Sequence, residues 1–203
     1  MTLHPAHLAP VLTAPVRDVP AGNRSTVAAP ARGPAGTALA LLRIGLGFIF
    51  LWPFLDKLIG LGYNTPGAKS WISGGSPTSG FLGHSDVGPF SAMFRSWSGA
   101  VLLDWVFMLA LLGVGVAVLL GIGLRVCAVA GTVLMASMWI AEWPLARFTD
   151  AGEPSGSTNP LIDYHVIYAM GLIVVAACGA GAHLGLGRRW ADSDLVRRVP
   201  WLR

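Results

Sequence analysis

Residues 100–143 read AVLLDWVFMLALLGVGVAVLLGIGLRVCAVAGTVLMASMWIAEW, which is two long apolar segments joined by a short turn. Each segment, residues 100–122 and residues 126–143, is close to the roughly 20 residues that an α-helix needs to cross the hydrocarbon of a bilayer. The turn between them, Gly121 to Arg125, is so short that the two helices must lie antiparallel. The sequence therefore predicts a hairpin of two transmembrane helices.

Two more apolar segments flank this hairpin, residues 37–59 before it and residues 160–184 after it. The whole chain is 54% hydrophobic and only 12% charged, whereas soluble domains carry roughly 25% charged residues. We therefore expect an all-α, polytopic four-helix bundle in a lipid bilayer, with a membrane domain over residues 37–187. Residues 60–99, rich in Gly, Ser, Pro and aromatic side chains, are predicted to form a long outer loop that packs on the bilayer surface.

The two ends of the chain differ in composition from the spans. Residues 1–36 are rich in Ala and Pro, which predicts a disordered tail without the apolar core of a cleaved signal peptide. Residues 188–203 form a basic tail. Nine arginines flank one side of the four spans and four basic residues flank the other, which predicts that both termini are cytoplasmic. The nine are Arg17, Arg24, Arg32, Arg125, Arg188, Arg189, Arg197, Arg198 and Arg203, and the four are Lys57, Lys69, Arg95 and Arg147.

Helical spacing predicts which faces of the spans pack together. In the first span one face carries Arg43, Gly47, Phe50, Phe54 and Lys57, and Arg43 is expected to extend to the cytoplasmic headgroups. In the second span, a stripe of small residues is predicted to be the packing face. That stripe consists of Ala110, Gly113, Ala117 and Gly121. In the third span, the predicted inner face holds Ala128, Gly131, Met135, Met138 and Glu142.

The fourth span is expected to begin at Asn159, as N-cap, with Pro160 in the first helical position. Its stripe of small and polar residues places His165 inside the bundle and Asp163 outside it. Four carboxylates then fall near the outer ends of the four helices: Asp56, Asp104, Glu142 and Asp163. Asp104 and Asp163 lie near helix N-termini, where the helix dipole favours an acid, whereas Glu142 and Asp56 lie near C-termini and need another reason.

Glu142 and His165 are accordingly the candidate catalytic residues, because proton donors beside an apolar slot suit the reduction of a quinone. Trp139 and Trp143 are expected to line that slot, together with Met135 and Met138. Lys57 and Arg147 are candidates for holding a small anion. Asp56 is grouped with these substrate-binding residues; the alternatives are an ion pair with Lys57 and a hydrated position among the headgroups.

Other chemistries find little support in the sequence. His165 and His183 would be about 27 Å apart on one helix, too far to clamp a haem between them, which leaves a pair of His84 and His165 as a weak alternative. No flavin or nicotinamide motif is present, and Cys127 and Cys178 have neither the spacing of a zinc site nor that of a disulfide scaffold. No run of basic and aromatic residues indicates nucleic-acid binding. We therefore expect quinone as a substrate, with no haem, flavin or metal cofactor.

Four short segments in order resemble the DoxX/DoxD family of small bacterial membrane proteins, in particular its actinobacterial branch. They are Arg43 to Lys57, Gly121 to Arg125, Met138 to Pro144, and Asn159 to His165 with Tyr168 and Ala169. The resemblance covers about residues 37–190. It implies a protein of the bacterial cytoplasmic membrane similar to the large subunit of thiosulfate:quinone oxidoreductase.

Two functions follow as hypotheses. In the first, the chain is a membrane oxidoreductase subunit that passes electrons from a small sulfur anion, by resemblance thiosulfate, to the membrane quinone pool. In the second, the chain is a non-catalytic membrane anchor or assembly partner of a redox enzyme. The lack of a recognisable redox-cofactor motif favours the second hypothesis.

Overall fold

The computed structural model describes residues 33–202, and throughout this range the regular secondary structure is helical. The one strand-like pairing there is an isolated bridge between Phe148 and Pro154. Most of the predicted tail, residues 1–32, lies outside the described residues. The α-helices are α1 (Gly33–Ile59), α2 (Ser79–Leu82), α3 (Ser91–Trp97), α4 (Val101–Leu120), α5 (Leu124–Glu142), α6 (Tyr164–Ala177), α7 (Gly187–Ala191) and α8 (Asp194–Arg198). Short 3-10 helices occur at Gly67–Lys69, Trp71–Ser73, Ala180–Ala182 and Pro200–Leu202.

Three of these helices, α1, α4 and α5, are long and apolar enough to cross a membrane. The prediction of an all-helical protein is thus confirmed for the described residues, and three of the predicted spans have the length and apolar composition that crossing a membrane requires. The fourth predicted span corresponds to α6, which has only 14 residues and is about 21 Å long at 1.5 Å per residue. It begins later than expected because Asp163, and not Asn159, is its N-cap.

The buried face of α1 is the one that the sequence predicts, and it packs most extensively on α4. Glycine allows a close approach on both sides: a Cβ on Gly47 would lie 2.8 Å from the backbone nitrogen of Leu119, and a Cβ on Gly115 would lie 2.8 Å from that of Leu51. The predicted small-residue stripe is not the main packing face of α4, although Ala117 packs against the core and Gly121 is buried. Gly113 is exposed, with open space where its Cβ would be. The buried face of α4 instead carries Met108, Leu111, Val114 and Val118.

α5 and α6 form the second closely packed pair, and α6 also contacts α1. The predicted inner faces are confirmed here, because Gly131 and Met135 of α5 and His165 and Leu172 of α6 are buried. A single apolar core extends over the four helices, with Phe50, Met108, Met135 and Leu172 among its members. The two ends of this helical assembly differ in chemistry.

One end, which we call the arginine end, is organised by Arg43. Its side chain is fully buried, and its guanidinium donates to the carbonyls of Val118 and Leu119 at the end of α4 and to that of Leu184, 2.7 Å away. The expectation that Arg43 extends to the headgroups is therefore wrong. The last carbonyls of a helix lack intrahelical partners and carry a partial negative charge, so they can satisfy a buried guanidinium.

Glycines allow the chain to pack tightly around Arg43. A Cβ on Gly121 would lie 2.8 Å from the Cα of Gly181, and one on Gly185 would lie 3.1 Å from Nη2 of Arg43. The segment after α6 thereby folds back under the end of α4, where the amide of Leu186 donates to the carbonyl of Leu120 at 2.8 Å. The predicted basic tail continues as α7 and α8, and Val196 of α8 is fully buried.

The opposite end, which we call the site end, is covered by residues 60–99. This connection packs on the helix ends: the carboxylate of Asp104 accepts hydrogen bonds from Ser76 and from both the amide and the hydroxyl of Thr78. The rings of Trp71 and Trp105 meet edge to face with centroids 4.6 Å apart. The long loop is therefore an ordered cap on the helices.

Candidate functional site

At the site end, the last residue of α5 and the first residues of α6 bring three titratable side chains together. Glu142, Asp163 and His165 each offer one ligand atom, and these atoms lie within 4.8 Å of one another. Nδ1 of His165 is 2.8 Å from Oδ2 of Asp163 and 3.9 Å from Oε2 of Glu142. The two candidate catalytic residues predicted from the sequence, Glu142 and His165, are therefore neighbours in the structure.

Asp163 holds this group in place through both carboxylate oxygens. Oδ1 accepts the backbone N–H of Val166, 3.2 Å away, and so caps α6, while Oδ2 accepts from the His165 ring. Capping orients the carboxylate along the helix start, where the helix dipole stabilises its negative charge. Asp163 is thus a helix-start acid, as the sequence predicts, and its second oxygen makes a contact with His165 that helical spacing alone did not predict.

His165 is 1% exposed. An ionised carboxylate has no proton to donate, so with Asp163 ionised it is Nδ1 of His165 that carries the proton of this contact. The other ring nitrogen, Nε2, is buried without a partner. In the neutral imidazole Nε2 is an acceptor, and in the protonated ring it is a donor, so the same atom can deliver or receive a proton.

Glu142 is held by Tyr164, whose hydroxyl donates to Oε1 at 2.7 Å. The ring of Tyr164 also stacks on that of His165, with centroids 4.0 Å apart and planes tilted by 34°. The carboxylate of Glu142 remains about one-third exposed, at 37%. Glu142 thus lies at the boundary between water and the buried imidazole.

A polar cavity of about 400 Å³ opens beside these carboxylates, and we call it the polar cavity. It lies between the outer loop and the α5–α6 connection. Its titratable lining residues are His84, Asp86, Glu142, Asp163 and Tyr164. No lysine or arginine is among the lining residues that the structure describes, so this cavity has the wrong charge for an anion.

On the other side of His165 lies a second opening, a groove of about 420 Å³ between α5 and α6. We call it the α5–α6 groove. Its lining is largely apolar, and it is formed by Thr132, Met135, Ala136, Trp139, Ile140, Leu161, His165, Val166, Ala169, Met170 and Ile173. His165 therefore stands between a polar space and an apolar one.

The two tryptophans predicted to line one slot have different surroundings. Trp139 lines the α5–α6 groove, and its indole nitrogen is buried without a partner. Trp143 follows α5 with a left-handed backbone, φ 41°, and packs against Gly88 and the ring of Phe90. Met135 contributes to the groove and also, together with Met138, lines a separate cleft beside Tyr164 and Tyr168.

The remaining predicted substrate-binding residues are not part of this cluster. Lys57 lies over the ring of Phe107, with Nζ 6.0 Å from its centroid, and Arg147 is exposed on the α5–α6 connection. Asp56 is buried and accepts the backbone N–H groups of Tyr63 and Asn64, so it ties down the turn after α1. Neither Lys57 nor Arg147 lines the polar cavity.

Two members of the site, Asp163 and Tyr164, were not predicted as functional residues from the sequence. Asp163 looked like a simple helix-start acid, and its i, i+2 spacing from His165 gave no sign that a cap can also reach the ring. Tyr164 was not singled out at all, although a tyrosine between Asp163 and His165 at a membrane boundary was a usable signal.

The cluster can do two kinds of chemistry. The chain of contacts from Glu142 and Asp163 to Nδ1 of His165 can pass a proton between the polar cavity and the buried ring. Two carboxylate oxygens and an imidazole nitrogen within 4.8 Å can also chelate a divalent cation, although that would replace the hydrogen bond between His165 and Asp163.

Fold and site together define a helical protein with three candidate membrane spans and a buried histidine–carboxylate cluster at one end. Comparisons of the chain with protein-family models, with curated proteins and with solved structures found no match in any of the three.

Proposed function

We propose that this chain is the quinone-reacting membrane subunit of an oxidoreductase of the DoxX/DoxD kind, with His165 as the residue that exchanges protons with the quinone. The observation that carries the proposal is the position of His165. Its Nδ1 is bonded to a carboxylate that lines the polar cavity, and its ring lines an apolar groove. A buried imidazole between water and an apolar space suits a group that moves protons to a lipid-soluble substrate.

The reaction needs two electrons and two protons for each quinone that becomes a quinol. Protonated His165 donates a proton from Nε2 to the reduced quinone oxygen, which leaves a neutral ring with its proton on Nδ1. Tautomer exchange moves that proton to Nε2, and Nδ1 then takes up a new proton from the side of Asp163 and Glu142. The exposed face of Glu142 gives access to water in the polar cavity. Two passages through this route supply both protons.

The electrons come from a partner. Neither lysine nor arginine is among the described residues that line the polar cavity, so we assign oxidation of the donor to another subunit. By resemblance the donor is thiosulfate, two molecules of which join through a new S–S bond and release two electrons. This division of labour combines the two sequence hypotheses, because the chain then anchors a redox enzyme and also completes its reaction.

In this proposal α1, α4, α5 and α6 all cross the bacterial cytoplasmic membrane as a four-helix bundle, with both termini in the cytoplasm. α6 exposes Ile167, Met170 and Ile173 by about half of their surfaces, at 52%, 53% and 51%. Such an apolar exposed face is suited to lipid contact. The polar cavity then opens to the outside of the cell. A cysteine introduced at Ser157 should react with a membrane-impermeant thiol reagent added to intact cells. A cysteine introduced at Asp192 should react with the same reagent only after the membrane is permeabilised.

The reaction is tested in membranes that contain the full chain and its native partners, by following thiosulfate-dependent reduction of a short-chain quinone analogue. Loss of a general acid typically costs about 100-fold or more, so His165→Gln should lower the rate by about that factor. His183→Gln is the matched control, because His183 lies at the arginine end beside Thr37. Glu142→Gln is paired with Glu153→Gln, an exposed residue of the α5–α6 connection.

Wild-type rates in both His165→Gln and Glu142→Gln would overturn the assignment of the proton route. A rate that requires a co-purifying soluble enzyme but not His165 would show that the chain acts as an anchor only. Absence of quinone reduction in native membranes, with the partner complex intact and thiosulfate present, would overturn the proposed reaction.

A further inference from the structure

Four buried side-chain polar atoms have no hydrogen-bond partner among the described residues, and three of them belong to residues that line the α5–α6 groove. These three are Oγ1 of Thr132, Nε1 of Trp139 and Nε2 of His165. The fourth, Nε of Arg43, is at the arginine end. Buried polar groups are normally paired, and each unpaired one calls for a physical reason.

We infer that the α5–α6 groove is the binding site of the quinone itself, which enters sideways from the bilayer and takes its polar contacts from Trp139, His165 and Thr132. This inference rests on the proposed function and adds the location, the orientation and the recognising residues. It assigns hydrogen-bonding roles to Trp139 and Thr132 in addition to apolar contact.

The donor and acceptor properties of the three groups match a quinone better than an acyl chain. An indole N–H can only donate, so Trp139 needs a ligand oxygen that accepts, such as a carbonyl. Nε2 of His165 donates when protonated and accepts when neutral, and the Thr132 hydroxyl does either. A quinone carbonyl accepts and the quinol hydroxyl donates, so this ligand changes its hydrogen-bonding character as His165 does. An acyl chain would leave all three groups unpaired.

The groove also has suitable shape and access. Its volume of about 420 Å³ is in the usual range for a small-molecule site, roughly 300–1,000 Å³. Met170 and Ile173 on one wall and Ile140 on the other are partly exposed on the surface that α5 and α6 present to lipid. A lipid-soluble molecule can therefore reach His165 without crossing the polar cavity.

A second apolar groove in the same structure provides the comparison. It lies between α4 and α5 beneath the outer loop, and Trp97 and Ser137 line it. Both of its hydroxyls are already used, because Ser137 donates to the carbonyl of Leu134 at 2.7 Å and Thr78 donates to the carboxylate of Asp104 at 2.6 Å. This α4–α5 groove is similarly apolar but lacks a buried unpaired polar atom among its described lining residues.

The test is photolabelling of the full chain in proteoliposomes with an azido derivative of a short-chain ubiquinone, followed by peptide mapping. Labels are expected on α5 between Thr132 and Ile140 and on α6 between Leu161 and Ile173, and excess unlabelled quinone should compete for them. Labels confined to the α4–α5 groove, or labels that quinone does not displace, would overturn the inference. Because no variant is needed, misfolding cannot confuse this result.

Two substitutions then test the hydrogen-bonding roles by equilibrium binding of the same quinone. Trp139→Phe and Thr132→Val keep the apolar surface and remove one hydrogen-bonding group each, so each should weaken binding by about threefold to tenfold. Trp97→Phe and Ser137→Ala are the matched controls in the other groove and should bind as the wild type does. Unchanged binding in both Trp139→Phe and Thr132→Val would overturn the assigned contacts.

Failure of this inference can be told from failure of the proposed function. Suppose that quinone displaces the labels on α5 and α6 but membranes that retain the partners show no quinone reduction. The binding site would then be supported and the proposed reaction would be wrong. Quinone reduction that depends on His165, with labels elsewhere, would leave the reaction standing and remove the groove as the binding site.

Discussion

Asp163 performs two tasks that a pair of substitutions can separate. Oδ1 caps α6 by accepting the N–H of Val166, and Oδ2 accepts from Nδ1 of His165 at 2.8 Å. Asp163→Asn keeps an oxygen for the cap, but its amide can present N–H groups to the ring. Nδ1 of His165 must then accept, and the proton of the neutral ring moves to Nε2. Asp163→Ala removes both contacts.

The size of each effect follows from the contact that is lost. Removal of an N-cap costs about 0.5–2 kcal/mol, and Asn caps as well as Asp does. A hydrogen bond to a charged group contributes about 1.5–3 kcal/mol. If this bond supports the proton-transfer step, its loss should slow that step roughly 10- to 150-fold, at 1.36 kcal/mol per tenfold. Asp163→Asn should therefore be slow but stable, and Asp163→Ala should be both slow and less stable.

Three measurements on the full chain check this prediction. Thermal unfolding in detergent reports the cap, and quinone reduction in native membranes reports the proton route. Nitrogen-15 NMR of histidine-labelled protein reports which ring nitrogen of His165 is protonated, with the His165→Gln spectrum identifying its signals. We expect the proton on Nδ1 in the neutral wild type and on Nε2 in neutral Asp163→Asn.

Two results would contradict this prediction. If Asp163→Asn shows the changed tautomer yet reduces quinone within twofold of the wild-type rate, the contact between His165 and Asp163 does not support proton transfer. If Asp163→Ala unfolds at the wild-type temperature, the side chain does not stabilise the start of α6.

Three further predictions concern the packing of the helices and of the outer loop. Gly181→Ala should lower the unfolding temperature by several degrees, because a Cβ there would overlap the Gly121 carbonyl and overpacking costs about 1–3 kcal/mol. Gly113→Ala is the control: there is open space at its Cβ, so this variant should unfold at or above the wild-type temperature. Arg43→Leu should lower the free energy of unfolding by about 1–3 kcal/mol because buried carbonyls lose their donors, and the stability of Arg43→Lys should lie between that of Arg43→Leu and that of the wild type. Denaturation in detergent measures both variants, and equal stability of all three proteins would contradict the assigned role of Arg43. Asp104→Ala should release the outer loop from Ser76 and Thr78, seen as faster trypsin cleavage at Lys69 with little change at Arg189, and an unchanged cleavage rate at Lys69 would show that other contacts hold the loop.

The predicted helices were recovered best where length and apolar content alone decide. The hairpin of α4 and α5 follows from two long apolar runs and a five-residue turn, and the inner faces of α5 and α6 follow from 3.6-residue periodicity. The same reasoning failed for α4, where small residues indicated one packing face and the structure uses another. Both faces of a membrane helix are apolar, so periodicity carries little information about which face meets protein and which meets lipid.

The sequence by itself determined that this protein is helical, apolar enough for a membrane, and supplied with titratable groups at the ends of its helices. It also identified Glu142 and His165 as candidates. An acid at a helix C-terminus is disfavoured by the helix dipole, and a histidine on a stripe of small residues is a polar group on a packing face. Only the tertiary structure decided the partners. Arg43 donates to carbonyls at the end of α4, Asp104 and Asp56 accept hydrogen bonds from the connection after α1, and Asp163 accepts from His165. The reason is physical: a buried charge takes the nearest group that can satisfy it, and that group is supplied by packing between segments far apart in the chain.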